Sequence, residues 1–219
     1  MNMFSASRWV LLGLLIAARC AQGQAFPEFH VKAEVLSDNS NPFGDTSSAE
    51  LCLTKTPQIC YKLPSSYNLD PITEKFTSSS GEELVLFLAH TFGGSGSAYE
   101  YALLRSHAGG LTNLLPDVVT SNISDHALWQ MPNISTMPVF LTSDYIWEDS
   151  YHYGDHRHEI RVYIYNDRVA HYEQVLHYAT RRRYRSADLT EDDRVKVLNA
   201  ERRTIESKIH AYVTSRRKR

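Results

Sequence analysis

Residues 147–161 hold the densest set of chemically capable side chains: Glu148, Asp149, His152, Asp155, His156, His158 and Glu159. If residues 156–165 (HRHEIRVYIY) form a strand, His156 and His158 leave the same face about 7 Å apart. That H-x-H spacing serves many β-sheet metal sites. His152 or Asp155, from the stretch just before, can complete a set for zinc or another divalent cation. An open fourth position would then activate water for hydrolysis. The simpler expectation is a histidine-rich sheet end whose imidazoles hydrogen-bond their neighbours. Tyr145, Trp147, Tyr151 and Tyr153 interleave with the cluster and predict a surface that contacts a protein or carbohydrate ligand.

Other candidate chemistry is incomplete. Residues 93–97 (GGSGS) lack the glycine at 97 that a nucleophile elbow needs, and strand-like residues follow them instead of a helix. Neither an elbow nor a phosphate cradle fits that context, and the glycines predict a turn or a close backbone passage. Spacing alone picks out no Ser-His-Asp or Cys-His set. Residues 181–185 (RRRYR) form the strongest basic patch, with a tyrosine placed to stack on a base. The simpler expectation there is a solvated face paired with Asp188 and the acids at 191–193. The leading functional expectation is a non-enzymatic binding or structural protein. The competing one is a metal-dependent hydrolase built on His152, His156 and His158, the divalent cation being its only cofactor.

The elements that position these groups are mostly strands. Residues 83–90 (ELVLFLAH) are a nearly continuous apolar run, as a strand buried on both faces requires. Residues 98–106 and 111–115 suggest a hairpin turning at 107–110. Short strands are expected at 127–130 and 139–143. Residues 156–165 alternate strictly, with His156, His158, Ile160, Val162 and Ile164 on one face. A turn at Asn166 and Asp167 leads into a strand over 169–178. A faint repeat relates residues 84–115 to 138–175, offset by about 54 residues. Thr190 and the acids after it read as a helix cap, and Val195, Leu198, Ile205, Ile209 and Tyr212 then recur at helical spacing. The expected fold is α+β: mainly antiparallel sheet, a meander or small sandwich of propeller-like units, with an amphipathic C-terminal helix over 190–215.

Residues 1–25 read as an export signal. Arg8 precedes a ten-residue apolar stretch, residues 9–18 (WVLLGLLIAA), too short to span a bilayer, and small residues follow at cleavage spacing. Residues 26–50 are expected as a flexible lead-in and 51–219 as one domain, secreted or periplasmic, with no membrane span in the mature chain. Cys20 follows Arg19 rather than a small residue, which argues against a lipid anchor. Cys52 and Cys60 then remain as an even pair, and in an oxidising compartment a disulfide is expected in preference to a metal pair. Asn122 and Asn133 head glycosylation triplets that matter only in a eukaryotic host. Charge is uneven: residues 24–180 carry 19 acidic against 8 basic side chains, and residues 181–219 carry 6 against 13. A basic tail on an acidic body can attract nucleic acid or anionic lipid, yet docking of the tail helix on its own body is the simpler expectation, and nucleic acid is an uncommon partner for an exported chain.

The chain resembles a group of uncharacterised exported bacterial proteins common in acidobacteria. The resemblance rests on the Cys52 and Cys60 pair, ELVLFLAHTFGGSGSAYEYALLR (83–105), LTNLLP (111–116), ISTMPVF (134–140), WEDSYHYGDHRHEIRVYIY (147–165) and T-x-x-x-Y from Thr180 to Tyr184. It implies no activity. The strand–GGxG–strand units are also distantly similar to FG-GAP propeller repeats, but no Asp-x-Asp-Gly-Asp-Gly loop precedes them, so calcium binding of that type is not implied.

Overall fold

Strands buried on both faces set the architecture. The computed structural model describes residues 29–36, 46–64, 68–91, 98–107, 110–116, 119–148, 154–185 and 196–217. The expected export signal, the glycine loop at 93–97 and the helix cap at 190–193 lie outside these residues.

Three antiparallel sheets stack in sequence order. The first joins β1 (Phe29–Leu36), β2 (Thr46–Leu53) and β3 (Cys60–Lys62). The second runs through β4 (Asn68–Thr77), β5 (Glu83–Thr91), β6 (Tyr99–His107) and β7 (Gly110–Asn113), with β8 (Val119–Ser121) also on β6. The third runs through β9 (His126–Trp129), β10 (Val139–Ile146), β11 (Asp155–Asn166) and β12 (His171–Ala179), with β13 (Tyr184–Arg185) also on β11. Sheets two and three therefore share one connectivity, a four-strand meander plus a short strand on its third member. The two segments of the expected repeat, 84–115 and 138–175, span β5–β7 and β10–β12.

The apolar run of β5 is explained by its position in the stack. Leu84, Leu86 and Leu88 join Tyr101 and Leu103 in a core shared with Phe140, Tyr163 and Tyr172 of the third sheet. Val85, Phe87 and Ala89 point the other way, with Ala102 and Leu104, onto Ala49, Leu51 and Leu63 beside the first sheet. Gly81, at φ 81°, closes the β4–β5 turn in a conformation that a side chain disfavours.

The far face of the third sheet carries the helices α1 (Lys196–Ala200) and α2 (Arg202–Arg217). Only Glu201 separates them, and its N–H still bonds Val197 O at 2.9 Å. Val197, Leu198, Ile205 and Ile209 are fully buried against Ala127, Trp129, Val139, Leu141, Ile160, Val162 and Ile164. At about 1.5–3 kcal/mol per buried aliphatic side chain, these four hold the helices to the sheet. The tail thus docks on its own body, helped by Arg216 at 3.6 Å from Glu173. Among the described residues, no helix is long and apolar enough to cross a membrane.

Two features differ from the sequence reading. The expected lead-in contains β1 and the start of β2; its polar middle obscured the alternation of Phe29, Val31, Ala33 and Val35. Strand β4 was not anticipated, since Pro71 interrupts it, and the proline sits where the β4–β5 register shifts between Leu69 and Ile72. The disulfide is present: Cys52 and Cys60 face each other across β2 and β3, with Cα atoms 4.0 Å apart.

Candidate functional site

Strand parity decides what gathers at one end of the third sheet. On β10, Val139, Leu141, Ser143 and Tyr145 share a face, and Tyr145 lies opposite His158 in the register with β11. On β11 that face carries His156, His158, Ile160, Val162 and Ile164, as the alternation predicts. Helix α2 covers the aliphatic part. Beyond it the same face turns polar and aromatic, with Asp125 added from the approach to β9.

Asp125, Ser143 and His158 form a buried polar chain, at 4%, 0% and 0% exposure. The Ser143 hydroxyl bonds Asp125 Oδ2 and lies 3.3 Å from His158 Nδ1. Burial raises the Asp125 carboxyl to about 7, against the pull of bonds from the Ser143 hydroxyl and the Leu198 N–H. Burial lowers His158 to about 4, with the neighbouring His156 adding to the shift. At neutral pH His158 is therefore uncharged while Asp125 is near half-titration. The chain has two self-consistent proton arrangements. With Asp125 ionised, Ser143 donates to Asp125 and accepts from Nδ1–H. With Asp125 protonated, the acid donates to Ser143, which donates to a bare Nδ1. Among the described residues, Asp125 Oδ1 and His158 Nε2 have no hydrogen-bond partner. This is not a nucleophilic triad, because serine stands between acid and imidazole and is closed to solvent.

Outside the buried chain lies an aromatic mouth. Tyr145 packs on His156 at 4.6 Å and edge-on to His158 at 5.2 Å between ring centroids. Trp147, 45% exposed, meets Tyr145 at 5.6 Å and His156 at 5.2 Å, both edge-on. Glu148, next in sequence to Trp147, is bound by Arg157 at 3.1 Å and Arg183 at 2.5 Å, and Arg157 leaves the face of β11 opposite to the two histidines. Thr180 braces the base: its hydroxyl accepts from His158 N–H at 2.9 Å and donates to Arg182 O at 2.8 Å. Tyr184 closes the side, edge-on to His158 at 5.6 Å, with its hydroxyl donating to Glu201 at 2.7 Å.

The structure thus brings together four residues read from the sequence as ligands or contacts: His156, His158, Tyr145 and Trp147. Asp155 is exposed on the opposite face of β11, away from the two imidazoles. His152, Tyr151 and Tyr153 lie outside the described residues, as do Asp188 and the acids at 191–193 expected to pair with the RRRYR patch. Arg183 of that patch pairs with Glu148. Among the described residues, the one group of three close metal-ligand types is Glu50, Cys52 and Cys60, and its two sulfurs are bonded to each other, so it offers no thiolates. Of the two glycosylation triplets, Asn133 is exposed in a turn, whereas the Asn122 side chain bonds Asp144. Sequence reasoning missed Asp125, Ser143 and Thr180. Carrying the β10 alternation past Ser143 would have placed Ser143 beside the histidines, but nothing local announces Asp125.

Compared with family models, curated proteins and solved structures, the chain matches none of them. Its class rests on architecture alone: an antiparallel β protein of stacked sheets with a C-terminal helix.

Proposed function

We propose that this is an exported, non-enzymatic binding protein whose contact surface is the aromatic mouth, and that the ligand is a carbohydrate. The observation that carries the reading is Trp147, half-exposed and steadied edge-on by Tyr145 and His156. A flat aromatic surface matches the C–H face that a sugar ring offers. The solvent-closed Ser143 supports binding over catalysis. Export is supported by the signal-like residues 1–25 and by the Cys52–Cys60 bridge, which an oxidising compartment maintains.

The test is calorimetric titration of the purified protein with gluco-, manno- and chito-oligosaccharides, with product analysis after incubation. Saturable binding that Trp147→Ala abolishes, at an unchanged unfolding midpoint, is expected. Absence of binding across the panel sinks the carbohydrate reading, and release of shortened products sinks the non-enzymatic one.

A further inference from the structure

A concave surface lies between the end of β12, the segment after it and α2. The groove, about 680 Å³, is lined by Arg181, Arg182, Arg203 and Lys208 against a single carboxylate, Glu201. That carboxylate accepts the Tyr184 hydroxyl at 2.7 Å. All four cations are exposed, and among the described residues neither Arg181 nor Arg203 has an ion pair. Thr204 and Ser207 also line the groove. Among the described residues, part of the basic tail is therefore concentrated in one cleft with a single acid.

We infer that this groove binds an anionic polysaccharide through its sulfate or phosphate ester groups. Converging guanidinium forks present paired donors to tetrahedral oxyanions, and the surplus positive charge in a concave site raises the local concentration of a polyanion. Two other polyanions fit less well. Bases of a nucleic acid need aromatic faces, but Lys208 already lies 4.6 Å over the Tyr178 ring and Arg182 5.2 Å over the Tyr184 ring, competing for that π surface. A membrane surface favours a convex patch with aliphatic anchors, whereas this lining is concave and its one aliphatic side chain is Ala179. The groove is a site separate from the aromatic mouth and stands whether or not the mouth binds sugar.

The full chain is titrated at low and moderate salt with four probes: a heparin-derived hexasaccharide, its desulfated counterpart, vesicles of phosphatidylglycerol and phosphatidylcholine, and a single-stranded oligothymidylate. Saturable binding of the sulfated hexasaccharide, weakening as salt rises, is expected. Arg181→Ala with Arg203→Ala should weaken it about tenfold and lower the salt slope by about 2, roughly one for each cation removed. Lys55→Ala with Arg168→Ala removes equal charge from exposed sites elsewhere and should change affinity by less than about twofold. Trp147→Ala should leave it unchanged. Should the groove double variant unfold, Lys208→Gln alone tests the same groove, with an expected loss of about threefold. Equal losses in the two double variants, binding that needs no sulfate, a Trp147 dependence, or tighter binding of vesicles or oligothymidylate would each overturn the assignment.

Discussion

Replacing Asp125 with asparagine should change how stability depends on pH, because Asp125 and His158 titrate in opposition. Asp125 is raised from 3.8 to about 7, so the folded state holds this proton more tightly than the unfolded one. Its contribution is complete below about pH 4 and is lost as pH rises through about 7. His158 is lowered from 6.5 to about 4; its contribution is complete above about pH 6.5 and is lost as pH falls through about 4. Between these limits the two slopes nearly cancel in the native protein. In the Asp125→Asn variant the carboxamide keeps the side-chain shape and an acceptor for the Ser143 hydroxyl, but it cannot titrate, so the His158 slope stands alone. The rise from 3.8 to about 7 corresponds to about 4 kcal/mol, which relaxation and water penetration reduce to about 2–4 kcal/mol. The native-minus-variant unfolding free energy should therefore fall by that amount between about pH 4.5 and pH 8. Urea unfolding at closely spaced pH values, with the disulfide intact, measures it. A difference constant across that range would refute the assignment of a raised, buried Asp125 carboxyl.

Three further outcomes are expected. Cys52→Ala with Cys60→Ala should cost about 2–3 kcal/mol in denaturant unfolding, and mass spectrometry after alkylation should find no free thiol in the native protein. Ala170 closes the β11–β12 turn at φ 53°, a left-handed conformation that costs a side-chain-bearing residue about 1 kcal/mol; Ala170→Gly should therefore raise stability by about 0.5–1 kcal/mol, read from the unfolding midpoint. Dialysis against EDTA should leave that midpoint unchanged, whereas a fall reversed by zinc and abolished in His156→Ala would restore the histidines as metal ligands.

Legibility in the sequence followed burial. Strand β11 could be read residue by residue because its helix-facing positions are buried and their neighbours are partly exposed through most of its length. Strand β5 could be read because both of its faces are covered, which forces a continuous apolar run. In β4 only part of the strand is covered, and its proline breaks the pattern at the bulge. The His156 and His158 pairing with Tyr145 was accessible in outline, since i and i+2 on one strand must share a face. The Asp125–Ser143–His158 chain was not, because it depends on the registers of three strands and on where Leu198 of α1 comes down. Residues 18 and 15 positions apart in sequence become hydrogen-bond neighbours only once those pairings are set.

A mismatch of lengths places the candidate site at this end of the sheet. The buried helix side chains run from Val197 to Ile209, about 18 Å along a helix axis. Strand β11, with twelve residues, extends about 40 Å. The helices therefore cannot cover the sheet face from end to end. Where their aliphatic side chains stop, the face must be closed by something else, and the sequence supplies rings: Tyr145, Trp147, His156, His158 and Tyr184. Rings close the face around Ser143 and Asp125, which explains the burial that raises one carboxyl and lowers one imidazole. Closure by rings also differs from closure by a helix in what it leaves outside. A helix turns a polar surface to solvent, whereas Trp147, 45% exposed, turns aromatic surface outward. The exposed tryptophan and the perturbed buried acid are thus two consequences of one sheet end that the helices do not reach.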